Sequence, residues 1–204
     1  VGRNYHAHAI EMGAPVDKAS MQPFYFLKDA GSLVESGASL PYPPGTRDYQ
    51  HEMELVVAIG ASGFRVAEAD APSLVWGYAC GLDMTRRDLQ RVAREAGKPW
   101  DLAKNFEGAA VLSGIVPKAG ADVLQSGAIT LQVNGLTRQS GNLAQLIWSI
   151  PELIADLSRF YHLQPGDLIF TGTPEGVSAV VPGDRLTGRI EGVGEITLTI
   201  GEAE

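Results

Sequence analysis

Cysteine is nearly absent from this chain: Cys80 is the one thiol among 204 residues. A single thiol excludes an internal disulfide and a thiolate metal cage, and it suits a reducing, cytoplasmic setting. Cys80 lies in the apolar run 76–82 and is expected to be buried packing. Basic residues are the minority, 16 Lys and Arg against 24 Asp and Glu, for a formal net charge of -8. A phosphate-backbone binder needs clustered cations, so nucleic acid is not expected as a partner. No apolar stretch reaches the roughly 18 residues of a membrane span, and no basic-then-apolar leader opens the chain, so no membrane partner is expected either. The sequence begins at Val1 rather than methionine, already inside the motif Val1-Gly2-Arg3-Asn4-Tyr5, and a preceding segment is therefore expected.

What is abundant is glycine and proline, 24 and 12 residues, which fit many turns between short strands. Strand-like runs fall at 24–27, 53–59, 75–84, 110–116, 129–133, 168–171 and 196–200. With 45% hydrophobic residues, a chain of this length can fill one core, and a single domain over 1–204 is expected. Residues 85–97 read as a helix with Thr85 as N-cap, Asp88 three positions on and Gly97 as terminator. Residues 143–160 carry helical spacing at Leu143, Leu146, Ile147, Ile150, Leu153, Ile154 and Leu157, but Pro151 cannot donate a helix-interior hydrogen bond. Ser149-Ile150-Pro151-Glu152 matches a capping box, so two helical segments in sequence are expected.

The most informative residues are acidic. In Tyr49-Gln50-His51-Glu52-Met53-Glu54-Leu55, a strand would send Glu52 and Glu54 to one face while Met53 and Leu55 point to the other. Asp83 ends the apolar stretch 74–84. Two like charges about 4 Å apart repel by roughly 4 kcal/mol at an effective dielectric near 20, so three ionised acids gathered together call for a cation. An all-oxygen ligand set selects Mg²⁺, Mn²⁺ or Ca²⁺ over zinc or copper. Each part has a plainer reading. An E-x-E pair is commonly the solvated face of an amphipathic strand, although the apolar continuation 55–59 favours a core strand. Asp83 could instead serve as a capping contact for the helix near Thr85.

His8 and Glu11, three apart, share a face on a helical turn, where the carboxylate could orient the imidazole and raise its basicity. Surface helices also carry such pairs for no catalytic reason. Lys28 and Lys104 are cations flanked by apolar residues; either could bury its stem and keep its ammonium wet. Thr171-Gly172-Thr173-Pro174-Glu175-Gly176 reads as a turn whose hydroxyls and amides could also cradle a carboxylate.

Taken together and in order, Val1-Gly2-Arg3-Asn4-Tyr5, Phe26-Leu27-Lys28, His51-Glu52-Met53-Glu54-Leu55, Gly77-Tyr78, Asp83-Met84-Thr85-Arg86-Arg87-Asp88, Leu102-Ala103-Lys104 and Thr171-Gly172-Thr173-Pro174 resemble the fumarylacetoacetate hydrolase family. The resemblance implies an α+β fold, a mixed β-sandwich roll with a few peripheral helices, and a homodimer. It implies Mg²⁺ or Mn²⁺ held by Glu52, Glu54 and Asp83, with Ca²⁺ as a substitute. It places the family's His/Glu pair on His8 and Glu11, not His6, and its active-site lysine on Lys104. Lys28, Arg87, Gln90 and Thr173 match positions that line the substrate pocket in relatives.

Residues 40–44, 75–78 and 85–90 are most similar to the branch acting on acylpyruvates, fumarylpyruvate among them, in gentisate-type aromatic catabolism. The implied chemistry is metal-dependent hydrolysis of a C–C bond in a 2,4-dioxo acid. Water activated by His8 would attack C4, and Lys104 would stabilise the oxyanion. Arg87, Lys28 or Arg86 would be available to a second carboxylate, since local charge outweighs net charge within a Debye length of about 8 Å. Oxaloacetate decarboxylation and an isomerase or decarboxylase activity are the other enzymatic readings. A ligand-binding scaffold without turnover would have no need of a water-activating pair.

Overall fold

The computed structural model describes residues 1–203. Along the chain come α1 (His6–Glu11), β1 (Leu33–Glu35), β2 (Ser39–Tyr42), β3 (Tyr49–Gln50), β4 (Met53–Ile59), β5 (Val75–Asp83), β6 (Thr85–Arg86), α2 (Arg87–Glu95), α3 (Asp101–Lys104), β7 (Ala110–Leu112), β8 (Val116–Pro117), β9 (Ala128–Val133), β10 (Leu136–Asn142), α4 (Ile150–Leu157), β11 (Leu168–Phe170), β12 (Arg185–Ile190) and β13 (Gly194–Ala203). One sheet runs β1-β7-β5-β4-β11 with β8 on β5, a second runs β10-β9-β12-β13-β2, and β3 and β6 form a ribbon. β1 with β7 and β2 with β13 are parallel pairs among otherwise antiparallel ones. The architecture is therefore α+β with mixed sheets and few helices.

β4 is buried at all seven positions, as a strand covered on both faces must be. Met53, Leu55 and Val57 join Cys80 and Leu82 of β5 and Leu131, Leu186, Ile196 and Leu198 of the second sheet in one apolar cluster. Each such side chain gains about 1.5–3 kcal/mol on burial. The sheets meet closely at Gly188 of β12, where a Cβ would lie 2.4 Å from Met53 Sδ. The opposite face of β4 carries Glu54, with Glu52 just ahead of the strand. The register sets Met53 against Leu82 and Glu54 against Gly81, and the Asp83 N–H donates to the Glu52 carbonyl, so Asp83 stands beside Glu52. Gly81 has no room for a side chain: its Cβ would lie 2.5 Å from Val56 and 2.6 Å from Phe170.

Several expectations hold and others need correction. Residues 53–59 form β4, and 143–160 divide into a 3-10 turn, Leu143–Gln145, and α4, whose Ser149/Glu152 capping box has both bonds. Cys80 is buried and free. Residues 24–27 are not a strand: Phe24 makes one isolated bridge with Gly2, and the Phe24 and Phe26 rings pack on Trp100 at 4.9 and 5.9 Å instead of entering a ladder. The run 110–116 breaks into β7 and β8. Thr85 is not the N-cap of α2. It pairs with Gln50 in the ribbon, α2 begins at Arg87, and Asp88 accepts from the N–H groups of Leu89 and Arg47. Among the described residues no helix is long and apolar enough to cross a membrane.

Candidate active site

Glu52, Glu54 and Asp83 are all buried, and each offers a carboxylate oxygen within 4.8 Å of the others. Two oxygens on opposite sides of one ion bound at about 2.0–2.6 Å lie roughly 4–5 Å apart, so the cluster has the span of a shared ligand set. Three cations surround it. Lys104 Nζ donates to Glu52 Oε2 at 2.9 Å, Asp83 Oδ2 at 2.8 Å and the Thr85 hydroxyl at 2.6 Å. Arg87 Nη2 pairs with Glu52 Oε1, while its Nε and Nη1 donate to the side-chain oxygens of Gln50 and Gln90. Lys28 Nζ lies 2.8 Å from Asp83 Oδ1 and donates to the carbonyls of Met84, Lys104 and Ala109. Buried carboxylates persist only when paired, and these pairs do that work for Glu52 and Asp83.

Glu54 is treated differently. Among the described residues its one hydrogen bond is accepted from the Gly172 N–H at 2.6 Å, and Gly172, at φ +104, could carry no side chain without meeting Asn4 at 2.7 Å. Burial, with the charges of Asp83 and Glu52, pushes the Glu54 carboxyl up to about 8 against the pull of the N-terminal ammonium and the Gly172 N–H. Burial also opposes ionisation of Glu52, but Lys104 and Arg87, with His8 beyond them, hold it well below the usual carboxylate range. Burial lowers the Lys28 ammonium, and Asp83 counters it. The Tyr5 hydroxyl is buried without a hydrogen-bond partner among the described residues, and burial followed by the Glu54 charge raises its pKa. Asp83 Oδ1 likewise lacks an aligned hydrogen bond. Three buried oxygen donors close together, with one carboxyl, Glu54, that has no cationic side chain paired to it among the described residues and is held up to about 8, fit a hard divalent ion.

The segment ahead of α1 places the histidine. Asn4 is fully buried: its Nδ2 donates to the carbonyls of Trp148 and Thr171, and its Oδ1 accepts from the Trp148 N–H. This pins the start of α1 beside the 171–173 loop, and His8 lines the pocket over Glu52. His8 Nδ1 is 3.2 Å from Glu11 Oε2, so the expected pair is formed. Glu11 in turn accepts from the Gly176 N–H at 3.1 Å. Only glycine fits there, because φ is +93 and a Cβ would lie 2.0 Å from the Arg138 carbonyl.

The pocket is small, about 40 Å³, and is lined by His8, Arg87, Gln90, Lys104 and Thr173 among others. It shares Met12, Arg87, Gln90 and Arg94 with a cavity of about 240 Å³ bounded by Glu11, Gln50 and α2. Lys28 is not in its lining: the ammonium faces Asp83 and three carbonyls, which consume its donors. Arg86 also turns elsewhere, stacking over Phe106 at 4.1 Å and donating to the Leu102 carbonyl. Gln139 is a further residue of the site, beyond those expected from sequence. This buried side chain accepts from His51 Nδ1 and the Met53 N–H and donates to the Thr173 hydroxyl and the Pro174 carbonyl, orienting Thr173 from behind. Its one signal was a polar residue at an inward position of a polar strand.

These features make a buried acidic site with the donor set of a divalent-metal centre, and the chain belongs to the fumarylacetoacetate hydrolase family: the family model for the fumarylacetoacetate (FAA) hydrolase C-terminal domain matches residues 1–201. The chain is 61% identical over 193 residues to a fumarylpyruvate hydrolase of Ralstonia sp., covering 95% of this chain and all of that protein. The structure of fumarylpyruvate hydrolase from Pseudomonas aeruginosa in complex with Mn²⁺ and pyruvate superposes with a TM-score of 0.93 at 47% identity, covering 98% of this chain and 87% of that one. A mitochondrial oxaloacetate tautomerase of Homo sapiens is 38% identical over 204 residues, covering the whole of this chain and 91% of that protein.

Proposed function

We propose that this chain is a single catalytic domain that hydrolyses the C3–C4 bond of an acylpyruvate, with fumarylpyruvate as substrate and fumarate and pyruvate as products. The observation that carries the reading is the buried Glu52, Glu54 and Asp83 cluster under His8 and Lys104, taken with 61% identity to the Ralstonia fumarylpyruvate hydrolase. Glu52, Glu54 and Asp83 would hold Mg²⁺ or Mn²⁺, which supplies Lewis-acid polarisation of the 2-oxo acid when bound. The Mn²⁺ and pyruvate in the Pseudomonas relative support that assignment.

In this proposal the chain's own residues handle the proton and the developing charge. His8, with Nδ1 held by Glu11, takes a proton from water at its other ring nitrogen as the water oxygen bonds to C4. Lys104 faces the oxygen that becomes negative. All three of its donors are engaged by Glu52, Asp83 and Thr85, so it serves that oxygen by exchanging one bond, and the neutral Thr85 hydroxyl is the cheapest to give up. The C3–C4 bond then breaks, its electron pair forming the pyruvate enolate, and a proton returns to C3. Gln90 and Thr173 position the substrate, with Thr173 oriented by Gln139. Lys28 acts through Asp83 rather than on the substrate. A homodimer, by family likeness, and a cytoplasmic setting, which the single thiol suits, complete the proposal.

The test is a panel of fumarylpyruvate, acetylpyruvate and oxaloacetate assayed with Mg²⁺, with Mn²⁺ and with chelator. Hydrolysis of fumarylpyruvate fastest, abolished by chelator, is expected. Conversion of oxaloacetate without any acylpyruvate hydrolysis would instead favour the chemistry of the more distant tautomerase relatives.

A further inference from the structure

We propose that Arg94 recognises the far carboxylate of a dicarboxylic acylpyruvate and so sets the preference for a dianionic substrate, an inference that rests on the acylpyruvate reading above. A second carboxylate entering an acidic protein must find a cation whose charge is not already spent. The basic residues around the site are nearly all committed: Lys104 to Glu52 and Asp83, Lys28 to Asp83, Arg87 to Glu52, Arg86 to the Phe106 ring, and Arg91 to Asp48 at 3.0 Å. Arg94 is the exception on α2. Its side chain is exposed, has no carboxylate within ion-pair distance among the described residues, and makes one hydrogen bond, from Nη1 to the Met12 carbonyl at 3.0 Å.

Position supports the assignment. Arg87, Arg91 and Arg94 lie at i, i+4 and i+7 and share one face of α2. Arg94 borders both the inner pocket and the larger outer cavity, as do Met12, Arg87 and Gln90, so it stands on the wall the two spaces share. The axial advance from Arg87 to Arg94 is about 10.5 Å. An extended seven-carbon diacid separates its carboxylate carbons by roughly 7–8 Å, six bonds of about 1.5 Å at bent angles, about 3 Å short of that advance; helical side chains lean toward the N-terminus, so the Arg94 guanidinium, reaching back along α2, closes the gap to the far end of a substrate anchored beside Glu52. Arg3 also lines the inner pocket, but its guanidinium lies over the Phe24 ring at 5.3 Å. Because Arg94 also holds the carbonyl of Met12, the C-cap of α1, the same guanidinium links the far end of the substrate to the helix carrying His8.

The experiment compares wild type, Arg94→Gln, Arg94→Lys and Arg3→Gln on fumarylpyruvate and on acetylpyruvate, which ends in a methyl where the other carries its second carboxylate. Loss of a charge-assisted hydrogen bond corresponds to roughly ten- to hundredfold, and Arg94→Gln is expected to raise KM for fumarylpyruvate by that factor while moving acetylpyruvate less than about threefold. Arg94→Lys should recover part of the loss. As a second readout, fumarate should inhibit wild type more strongly than crotonate, its analogue with one carboxylate, and Arg94→Gln should erase the difference. Equal losses on both substrates would assign Arg94 only to holding Met12, and selectivity lost in Arg3→Gln but kept in Arg94→Gln would move recognition to Arg3; either result overturns the inference. A wild type that hydrolyses neither acylpyruvate overturns the underlying reading instead.

Discussion

Replacing Asn4 should cost more than any other single polar substitution near the N-terminus. The Asn4 amide is fully buried and makes three hydrogen bonds, to the Trp148 carbonyl at 3.0 Å, to the Thr171 carbonyl at 2.8 Å and from the Trp148 N–H at 2.7 Å. Asn4→Ala leaves two carbonyls and one N–H buried without these partners. Each orphaned group costs about 1–3 kcal/mol, and partial relaxation brings the expected loss to about 3–5 kcal/mol, a large share of a typical 5–15 kcal/mol total. Asn4→Asp keeps the shape but turns an oxygen toward two carbonyl oxygens, so it should be at least as damaging at pH 7. Its carboxyl, raised by burial and by those carbonyls, regains a donor when protonated. A group whose folded pKa is raised contributes stability that is present at low pH and lost as pH climbs through the folded value, so the aspartate variant should gain on the alanine variant between pH 7 and pH 4. Urea unfolding of the three proteins at both pH values measures this. A loss below about 1 kcal/mol in Asn4→Ala, or an aspartate variant indifferent to pH relative to alanine, would refute the reasoning.

Other perturbations separate the parts of the site. His8→Gln should leave Mn²⁺ affinity within about threefold while lowering kcat by roughly 10²–10⁴, measured by metal titration and by turnover; loss of metal affinity would place His8 among the ligands. Gly176→Ala, with its Cβ against the Arg138 carbonyl and φ +93, should lower stability by about 1–3 kcal/mol and raise KM as Glu11 loses its anchor, and an unchanged KM would detach that loop from catalysis. His51 is pushed down to about 4 by burial, aided by Arg138 and Arg87 against Gln139 and Glu52. It is a base whose folded pKa lies below its unfolded value near 6.5, so the unfolded chain binds more protons between pH 4 and 6.5. Stability therefore falls as pH drops through that window, by about 2 kcal/mol between pH 7 and 5 from this group. Denaturant curves in chelator for wild type and His51→Gln should differ in pH dependence by that amount; parallel curves would show that His51 titrates normally.

The acids of the site were legible in sequence because strand geometry is simple: i and i+2 share a face, and a run such as 53–59 has few other ways to fold. The Ser149/Glu152 cap was readable for the same reason, as a local bond pattern three residues long. Tertiary partners were not. Thr85 has the side chain of an N-cap, but its hydroxyl is taken by Lys104 and its backbone by Gln50, so the helix starts two residues later. Phe24 and Phe26 carry strand propensity, yet aromatic packing on Trp100 wins. Lys28 was expected to touch substrate. It is held behind Asp83 by three carbonyls contributed by residues 84, 104 and 109, a convergence no spacing in the chain reveals. β10 went unseen because six of its seven residues are exposed or half-buried and all of those but Leu136 are polar or small, although it delivers Gln139 to Thr173.

The central claim is one divalent ion shared by Glu52, Glu54 and Asp83, and calorimetric titration of chelator-treated protein with Mn²⁺ tests it most directly. One site per chain is expected, weakened at least tenfold in Glu52→Gln, Glu54→Gln and Asp83→Asn alike. Unchanged affinity in any of the three, each shown by its unfolding transition to be folded, would contradict the account.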